Sequence, residues 1–216
     1  MSRLKVKICG ITNLEDAKAS IAAGCDALGF IFFKRSPRYI PPPEAREIIK
    51  RLPAGVPKIG VFVNAREKSI KRTARLCGLD ILQFHGNESP EFCRRFRGNK
   101  IIKAFRVKNS LDVKKISGYR VFAYLFDTYS GTQAGGTGRK FDWKLMERLH
   151  GSTAAVFLSG GLNEKNVSRA VRTVKPEWVD ACSSLEISPG RKDHDKIRKF
   201  VRAAKSGAGI DRAGRL

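Results

Sequence analysis

The sequence has little of what an exported, membrane-embedded or zinc-binding protein would contain. Its longest run without a polar residue, 27–33, is only seven residues long, whereas a membrane-spanning helix needs about 20. The first seven residues carry positive charge but lack the apolar stretch of a signal peptide. The five cysteines are odd in number and no two are spaced as C-x-x-C, which argues against a disulfide framework and a zinc ribbon. We therefore expect a cytoplasmic protein with no membrane contact and no metal.

Negative charge is also scarce, because 20 acidic residues face 43 basic ones and leave a net charge of +23. The excess is concentrated in residues 34–75, 91–120 and 187–216. Three interpretations remain open: solvated outer faces, a nucleic-acid surface, and a field that attracts small anionic substrates. No nucleic-acid motif is present and no aromatic residues interleave with the basic helix face of residues 68–75. The sequence therefore does not favour nucleic acid as a partner.

Eight short apolar runs alternate with helix-like segments from end to end. The runs cover residues 4–8, 27–33, 58–63, 81–84, 100–105, 121–126, 155–158 and 178–181. Several are continuously apolar, which is typical of parallel strands covered on both faces. Strict alternation predicts right-handed crossovers. The 216 residues leave about 27 for each unit, so an α/β (β/α)8 barrel is expected, with an open doubly wound sheet as the alternative.

The predicted helices fill the intervals between these runs. They cover residues 13–23, with Asn13 as N-cap, and residues 43–52, 66–77, 89–96, 142–149, 163–174 and 193–205. No change of composition marks a second domain, so residues 1–205 are expected to form a single barrel domain. The basic, Gly-rich tail at 206–216 is expected to fray.

Polar and glycine residues follow the predicted strands, at the end of the barrel where active sites lie. After the seventh strand, Gly160 and Gly161 let backbone N–H groups approach an anion, and Asn163 would begin a helix whose N-terminus favours negative charge. After the eighth strand, Ser183 and Ser184 could add donors. These two loops suit a phosphate group, although the glycine pair alone is equally compatible with an ordinary turn.

Cys9 and Asp127 are the candidate proton-transfer groups. Asp127 ends an apolar run, and partial burial would raise its pKa and keep it partly protonated, as a general acid requires. A thiol at the end of a strand, such as Cys9, can act as a base when positive surroundings lower its pKa. Taken singly, Cys9 is equally compatible with a small buried side chain, and Asp127 with a loop-capping carboxylate.

Three further side chains at the predicted strand ends have possible roles. Arg38 lies in a loop where its guanidinium could hold a carboxylate bidentately. His85 is expected to orient a loop on the substrate-binding side and not to perform chemistry. Cys182 could be a reactive thiol or a small packing residue.

A series of short motifs runs through the chain and is specific only as a set. The motifs are Lys7-Ile8-Cys9-Gly10-Ile11-Thr12, Ser36-Pro37-Arg38-Tyr39, Gly60-Val61-Phe62-Val63-Asn64, Gln83-Phe84-His85-Gly86, Asp127-Thr128, Gly135-Gly136-Thr137-Gly138, Ser159-Gly160-Gly161-Leu162 and Pro189-Gly190-Arg191-Lys192-Asp193. In order and spacing, over roughly residues 4–205, this set resembles the phosphoribosylanthranilate isomerase family.

The resemblance implies a (β/α)8 barrel and the third step of tryptophan biosynthesis from chorismate. That step is the Amadori rearrangement of N-(5-phosphoribosyl)anthranilate to 1-(2-carboxyphenylamino)-1-deoxyribulose 5-phosphate. By the family's pattern, Asp127 is the general acid that opens the ribose ring, and Cys9 is the general base that removes the C2′ proton. Arg38 would hold the anthranilate carboxylate, and the loops at 160–161 and 183–184 would hold the phosphate. The resemblance implies no cofactor, a small anionic substrate, and a monomer or homodimer.

The eighth loop departs from the family's pattern. Where the family reads Asp-Val-Ser-Ser-Gly-Val-Glu, this chain reads Asp180-Ala181-Cys182-Ser183-Ser184-Leu185-Glu186. Serine replaces glycine at 184, which leaves phosphate binding possible unless the position requires a positive φ. The related isomerisation of a histidine-pathway aminoaldose is a second interpretation, but similar enzymes carry an acid where Cys9 stands.

Overall fold

Eight parallel strands close into a barrel in the order in which they occur along the chain. The computed structural model describes residues 3–107, 116–127 and 154–209. The strands are β1 Lys5–Cys9, β2 Ala27–Ile31, β3 Lys58–Phe62, β4 Ile81–Phe84, β5 Lys100–Arg106, β6 Ala123–Asp127, β7 Ala155–Ser159 and β8 Trp178–Ala181. The barrel closes where β8 pairs with β1, with Lys5 opposite Trp178 and Ile8 opposite Ala181. The predicted (β/α)8 fold is confirmed.

Helices occupy the intervals between the strands, as the sequence predicts. They are α1 Leu14–Ala22, α2 Pro42–Ile49, α3 Glu67–Cys77, α4 Pro90–Arg94, α5 Val167–Val174 and α6 His194–Gly209. Asn13 caps α1, because its side chain accepts a hydrogen bond from the Asp16 N–H. The predicted helix over 142–149 lies outside the described residues. No helix in the described part of the chain is long and apolar enough to cross a membrane.

The seventh loop contains a turn where a helix was predicted to begin. The Asn163 Oδ1 atom accepts hydrogen bonds from the N–H groups of Lys165 and Asn166, and the Asn166 Oδ1 atom accepts one from the Asn163 N–H. Asparagine side chains that bond to nearby backbone compete with helix formation. The helix α5 therefore begins at Val167, and the prediction that Asn163 opens it is wrong.

Gly207, near the C-terminus, packs closely against the neighbouring helix. Helix α6 continues to Gly209, so the predicted frayed tail begins too early; residues 210–216 lie outside the described residues. A Cβ on Gly207 would lie 2.9 Å from both the Cα and the carbonyl oxygen of Ser168, beside the first turn of α5. Glycine at this position allows the last two helices to approach closely.

A two-stranded antiparallel hairpin, which the sequence reading missed, follows β8. Its strands are β9 Glu186–Ser188 and β10 Arg191–Lys192. The Lys192 N–H donates to the Asp16 carboxylate at 2.8 Å, and the Thr12 hydroxyl donates to the Gly190 carbonyl. The hairpin is thereby held against the loop that follows β1.

The interior of the barrel is apolar towards the amino ends of the strands. The residues there are Ala27, Ile59, Ile81, Ile102, Ala104, Ala123, Leu125, Phe157 and Trp178. Phe157 and Trp178 stack with their ring centroids 4.7 Å apart, and burying a side chain of this size stabilises the fold by about 1.5–3 kcal/mol. The outward strand residues, such as Val6 and Ile8, pack in a second core beneath the helices. Only the carboxyl ends of the strands are left for polar groups.

Candidate active site

Cys9 lies at the carboxyl end of β1, above a buried ion pair inside the barrel. Lys7 and Cys9 are two residues apart on one strand, so both side chains are on its inner face. The Lys7 Nζ atom is 2.8 Å from the Asp180 Oδ1 atom, and Lys7 is fully buried. The Ser159 hydroxyl lies 3.3 Å from the second Asp180 oxygen. A cation is therefore fixed next to the thiol.

The space for the Cys9 sulfur is created by a glycine on the neighbouring strand. Cys9 is opposite Gly29 in the β1–β2 register, and a Cβ on Gly29 would lie 2.7 Å from Cys9 Sγ and 3.1 Å from the Lys7 Cε atom. Real Cβ atoms do not approach other heavy atoms so closely, so a side chain at Gly29 would displace the sulfur. Glycine at position 29 thus has a local steric reason.

The surroundings of Cys9 stabilise its deprotonated form. A hydrogen bond from the Cys182 thiol is the largest influence and lowers the pKa of Cys9 well below that of an ordinary thiol, with further help from Lys7 and Lys192, although burial opposes the shift. Burial, by contrast, raises the pKa of Cys25 to about 12 and of Cys93 to about 11. Among these thiols, Cys9 has the setting of a base.

The Lys7–Asp180 pair is ionised at neutral pH. Burial works to lower the pKa of Lys7, but the Asp180 carboxylate and the Cys9 sulfur raise it overall. Burial raises the pKa of Asp180 to about 6, against the opposing effect of Lys7. Lys7 therefore remains a cation beneath the thiolate.

Asp127 ends β6 and contacts His85, which follows β4. The His85 Nε2 atom is 3.3 Å from Asp127 Oδ2, and His85 Nδ1 is 3.0 Å from the Gln83 amide nitrogen. The Asp127 side chain is half-buried, which agrees with the predicted partial burial. Asp127 and Ser159 are also opposite each other in the β6–β7 register, so the carboxyl group lies at the open end of the barrel.

The loop that carries His85 is held from below by a buried carboxylate. Glu88 accepts hydrogen bonds from the N–H groups of Asn64 and Gly86, at 2.7 and 2.9 Å, and forms a 3.0 Å ion pair with Lys103. A Cβ on Gly86 would lie 2.3 Å from Asn64 Oδ1, so the loops after β3 and β4 are in close contact. These contacts fix the backbone next to His85.

Arg38 is oriented by the hairpin that the sequence analysis missed. Its Nε and Nη2 atoms donate to the Glu186 carboxylate at 2.7–3.0 Å, and Lys192 Nζ lies 3.0 Å from the same carboxylate. Burial is the largest single influence on the pKa of Glu186 and acts to raise it. Arg38 and Lys192 together outweigh burial, so the pKa of Glu186 is lowered overall. The Nη1 atom of Arg38 has no hydrogen bond within the described residues, and a guanidinium has donors to spare.

The loops after β7 and β8 meet at the rim, as the sequence predicted. Gly160 and Gly161 have φ values of 92° and 62°, so glycine is needed there. Ser183 and Ser184 lie in a 3₁₀ turn, and the Ser184 hydroxyl donates to the carbonyl oxygen of Leu162. In the described part of the chain, Asn64 and Lys175 are the non-glycine residues with positive φ, so serine at 184 is unstrained.

The rim therefore combines a thiol of lowered pKa, a carboxyl group, a guanidinium and the loops after β7 and β8. All eight residues predicted from the sequence lie at the carboxyl ends of the strands: Cys9, Arg38, His85, Asp127, Gly160, Gly161, Ser183 and Ser184. The sequence analysis missed Lys7, Asp180, Glu186 and Lys192. The signal for Lys7 was a charge inside a buried strand. Within residues 3–107, 116–127 and 154–209, no group of three or more His, Cys, Asp or Glu side chains could hold a metal ion.

Comparisons with known sequences point to one family. A family model described as N-(5'phosphoribosyl)anthranilate (PRA) isomerase matches residues 6–203. An N-(5'-phosphoribosyl)anthranilate isomerase from a Geobacter species is 49% identical over 201 residues, which cover 93% of this chain and 98% of that protein. The protein of the same name from Rubrobacter xylanophilus is 47% identical over 205 residues, 94% of this chain and 99% of that protein.

Solved structures with the same fold carry the same name. Phosphoribosyl anthranilate isomerase from Thermotoga maritima superposes with a TM-score of 0.87 at 44% identity, covering 94% of this chain and 99% of that chain. A second structure, in complex with reduced 1-(o-carboxyphenylamino)-1-deoxyribulose 5-phosphate, gives 0.85 at 42% identity over the same shares. A third, from Thermotoga maritima, consists of monomers generated from the dimeric enzyme; it gives 0.84 at 41% identity and covers the same shares.

Proposed function

Since the chain belongs to the N-(5'-phosphoribosyl)anthranilate isomerase family of tryptophan biosynthesis, we propose that it performs the Amadori rearrangement of its substrate by general acid–base catalysis. Asp127 is the acid and Cys9 is the base. The observation that carries this assignment is the contrast in setting, since the thiol is held beside cations while the carboxyl group faces a histidine. An acid and a base in one pocket, each with its own environment, are the pattern of such catalysis.

In the first step, Asp127 gives its proton to the ring oxygen of the ribose. The C1′–O bond breaks with its electrons going to that oxygen, and the nitrogen lone pair forms a C1′=N bond, so the open sugar becomes a protonated Schiff base. His85 Nε2 lies 3.3 Å from Asp127 Oδ2 and can donate to the carboxylate that forms when this proton leaves.

Gln83 orients the ring of His85. Its amide nitrogen lies 3.0 Å from His85 Nδ1, so in this arrangement Gln83 donates to Nδ1 and the ring proton is on Nε2, which faces Asp127. Gln83 Oε1 is buried and has no hydrogen-bond partner within the described residues, and turning the amide would only move the unpaired position to its nitrogen.

In the second step, the Cys9 thiolate removes the proton from C2′. The C2′–H electrons form a C1′=C2′ double bond, and the electrons of the C=N bond return to nitrogen. Ketonisation of the resulting enol gives the aminoketose. Lys7 stays close to the thiolate and offsets its charge before the transfer. The thiol formed on Cys9 must then lose its proton, which its low pKa favours.

The two ends of the substrate match the two anion-binding parts of the rim. Arg38, held by Glu186, would bind the anthranilate carboxylate through Nη1. The loops at 160–161 and 183–184 would bind the phosphate, since the N–H groups of Ser183 and Ser184 make no hydrogen bonds within the described residues. The molecule bound to the second solved relative carries both a carboxylate and a phosphate. A small anionic substrate is therefore the proposed partner, and the protein would act as a monomer or homodimer.

The proposal is tested by following anthranilate fluorescence with freshly made phosphoribosylanthranilate. Cys9→Ala and Asp127→Asn are each expected to lower turnover by about 10²–10⁴-fold, the usual contribution of a general acid or base. Cys93→Ala, which removes a buried thiol away from the rim, serves as the matched control and should keep its turnover. If either rim variant retained full activity while folded, the acid–base assignment would be wrong.

A further inference from the structure

Cys182 comes directly after β8, beside the end of β1 that carries Cys9. The β1–β8 register ends with Ile8 opposite Ala181, and Cys9 and Cys182 are the residues that follow these two. Lys7 and Asp180, which precede Cys9 and Cys182 by two residues, are in contact across the same two strands. The thiols of Cys9 and Cys182 lie within hydrogen-bonding distance of each other. The two thiols therefore share one small space at the rim.

The position of the Cys182 sulfur is fixed by two neighbours, Gly10 and Lys192. A Cβ on Gly10 would lie 2.9 Å from Cys182 Sγ, so the sulfur packs against the backbone that follows Cys9. The Lys192 Nζ atom is 3.1 Å from the Cys182 carbonyl oxygen and 3.9 Å from its sulfur. The hairpin strand β10 thus holds Cys182 in place, and Lys192 is itself anchored on Glu186.

Only one of the two sulfurs can carry the negative charge. Cys9 lies beside Lys7 and accepts the hydrogen bond, whereas the hydrogen bond to Cys9, together with burial, raises the pKa of Cys182 well above the ordinary thiol value. Cys182 therefore keeps its proton and donates it to the Cys9 thiolate. A thiol is a weak donor in general, but a charged acceptor strengthens the bond.

We propose that Cys182 is a positioning residue for the isomerase reaction, whose S–H group holds the Cys9 sulfur as the thiolate that accepts the C2′ proton. The proposal rests on the proposed function of Cys9. Cys182 itself exchanges no proton with the substrate. Its effect is to keep Cys9 deprotonated at a pH where an isolated thiol would be protonated.

Two measurements on the same variants test the proposal. The first is the pH profile of kcat/KM, and the second is the pH dependence of Cys9 alkylation by iodoacetamide, read by mass spectrometry of the Cys9 peptide. Only the thiolate is alkylated rapidly, so the second measurement needs no substrate. The variants are Cys182→Ala, which removes the donor, and Cys182→Ser, which keeps one. Cys77→Ala, outside the rim, is the matched control.

In Cys182→Ala, the acid limb of both profiles should move upward by at least about one pH unit. On the acid side of the limb this would lower both kcat/KM and alkylation about tenfold, with rates that approach those of the unchanged protein at higher pH. In Cys182→Ser, both profiles should return most of the way to those of the unchanged protein. Cys77→Ala should cause no shift. A purely structural role of Cys182 would lower rates equally at every pH.

Each outcome decides between the two proposals. An unchanged alkylation profile in Cys182→Ala overturns the role of Cys182. A shifted alkylation profile with an unshifted kcat/KM profile supports the contact but overturns Cys9 as the base, and so the proposed mechanism. Loss of the fold would be recognised separately, because the buried Cys25 and Cys93 would then also be alkylated.

Discussion

The two ends of the barrel interior differ in chemistry, although the two layers of side chains are only two positions apart along a strand such as β8. On β8, Trp178 stacks on Phe157 in the apolar layer, and Asp180, next along the same face, pairs with Lys7. The amino end is filled by aliphatic and aromatic side chains. The carboxyl end holds a buried ion pair and a thiolate. The side chains that stabilise the fold and the side chains of the candidate active site thus form two successive layers along the barrel axis.

The comparison shows that burial serves two purposes in this barrel. Apolar side chains in the lower layer stabilise the fold through the area that they remove from water. A buried ion pair contributes little net stability, because the loss of hydration offsets the attraction. In the upper layer, burial instead strengthens the effect of Lys7 on Cys9, since electrostatic interactions are larger where water is excluded.

The largest expected effect on stability is in the lower layer. Phe157→Ala should lower the free energy of unfolding by about 3–5 kcal/mol, because it leaves a cavity against Trp178. Turnover per folded molecule should be nearly unchanged, since no rim group is lost. Urea unfolding and anthranilate fluorescence measure the two quantities. Turnover that fell while stability held would show that the two layers are not separate.

In the upper layer, breaking the ion pair should lower turnover as well as stability. Lys7→Met should cost about 3 kcal/mol, because Asp180 is left buried without its cation, and should also lower turnover. The pKa of Asp180 is already raised to about 6, so the folded state binds this proton more readily than the unfolded state. The loss of stability in Lys7→Met should therefore grow as the pH rises from about 5 to 8.

A double variant separates the two roles of this pair. Lys7→Met with Asp180→Val should regain most of the lost stability, because neither charge is then buried, but turnover should stay low without the cation beside Cys9. Chemical unfolding at pH 5 and 8, together with turnover, provides the check. Recovery of turnover in the double variant would mean that Lys7 acts only through the fold.

Loss of the contact between Glu186 of the hairpin and Arg38 should have a smaller effect. Glu186→Gln replaces the carboxylate that holds Arg38, and KM is expected to rise about five- to thirtyfold with little change in kcat, which corresponds to about 1–2 kcal/mol. Steady-state kinetics distinguish the two constants. An equal fall in kcat and kcat/KM would instead show that the contact of Arg38 with the substrate forms only in the transition state.

The smallest expected effect on the free energy of unfolding is at an ion pair on the outer surface. Lys50 and Glu47 pair at 3.0 Å on an exposed helix face, and Glu47→Gln should change the free energy of unfolding by less than about 0.5 kcal/mol. Turnover should not change. Urea unfolding in low and moderate salt measures this, and an effect as large as that of Lys7→Met would contradict the importance given to burial.

The strand pattern was the part of the fold that the sequence predicted best. The continuous apolar runs placed all eight strands, and the strand ends led directly to Cys9 and Asp127. The start of α5 was wrong because local asparagine contacts outweighed helix periodicity. The end of α6 was wrong because the contact of Gly207 with Ser168 is not visible from composition.

Three of the missed residues, Lys7, Asp180 and Glu186, have side-chain partners that are far away in the chain. Glu186 binds Arg38 across 148 residues, and Lys7 binds Asp180 across 173. Local patterns carry no information about such pairs before the barrel is known. Ser184 is the reverse case, because the structure removes the doubt about its glycine-like position: its hydroxyl binds the Leu162 carbonyl and its φ is not positive.

The contact between β1 and β8 also determines when, during synthesis, Cys9 becomes reactive. Cys9 is synthesised before Cys182 and Lys192, which lower its pKa. A nascent chain that has produced half the barrel therefore lacks two of the groups that keep Cys9 deprotonated. Contacts so distant in sequence are slow to form. The full lowering of the Cys9 pKa therefore requires the closed ring.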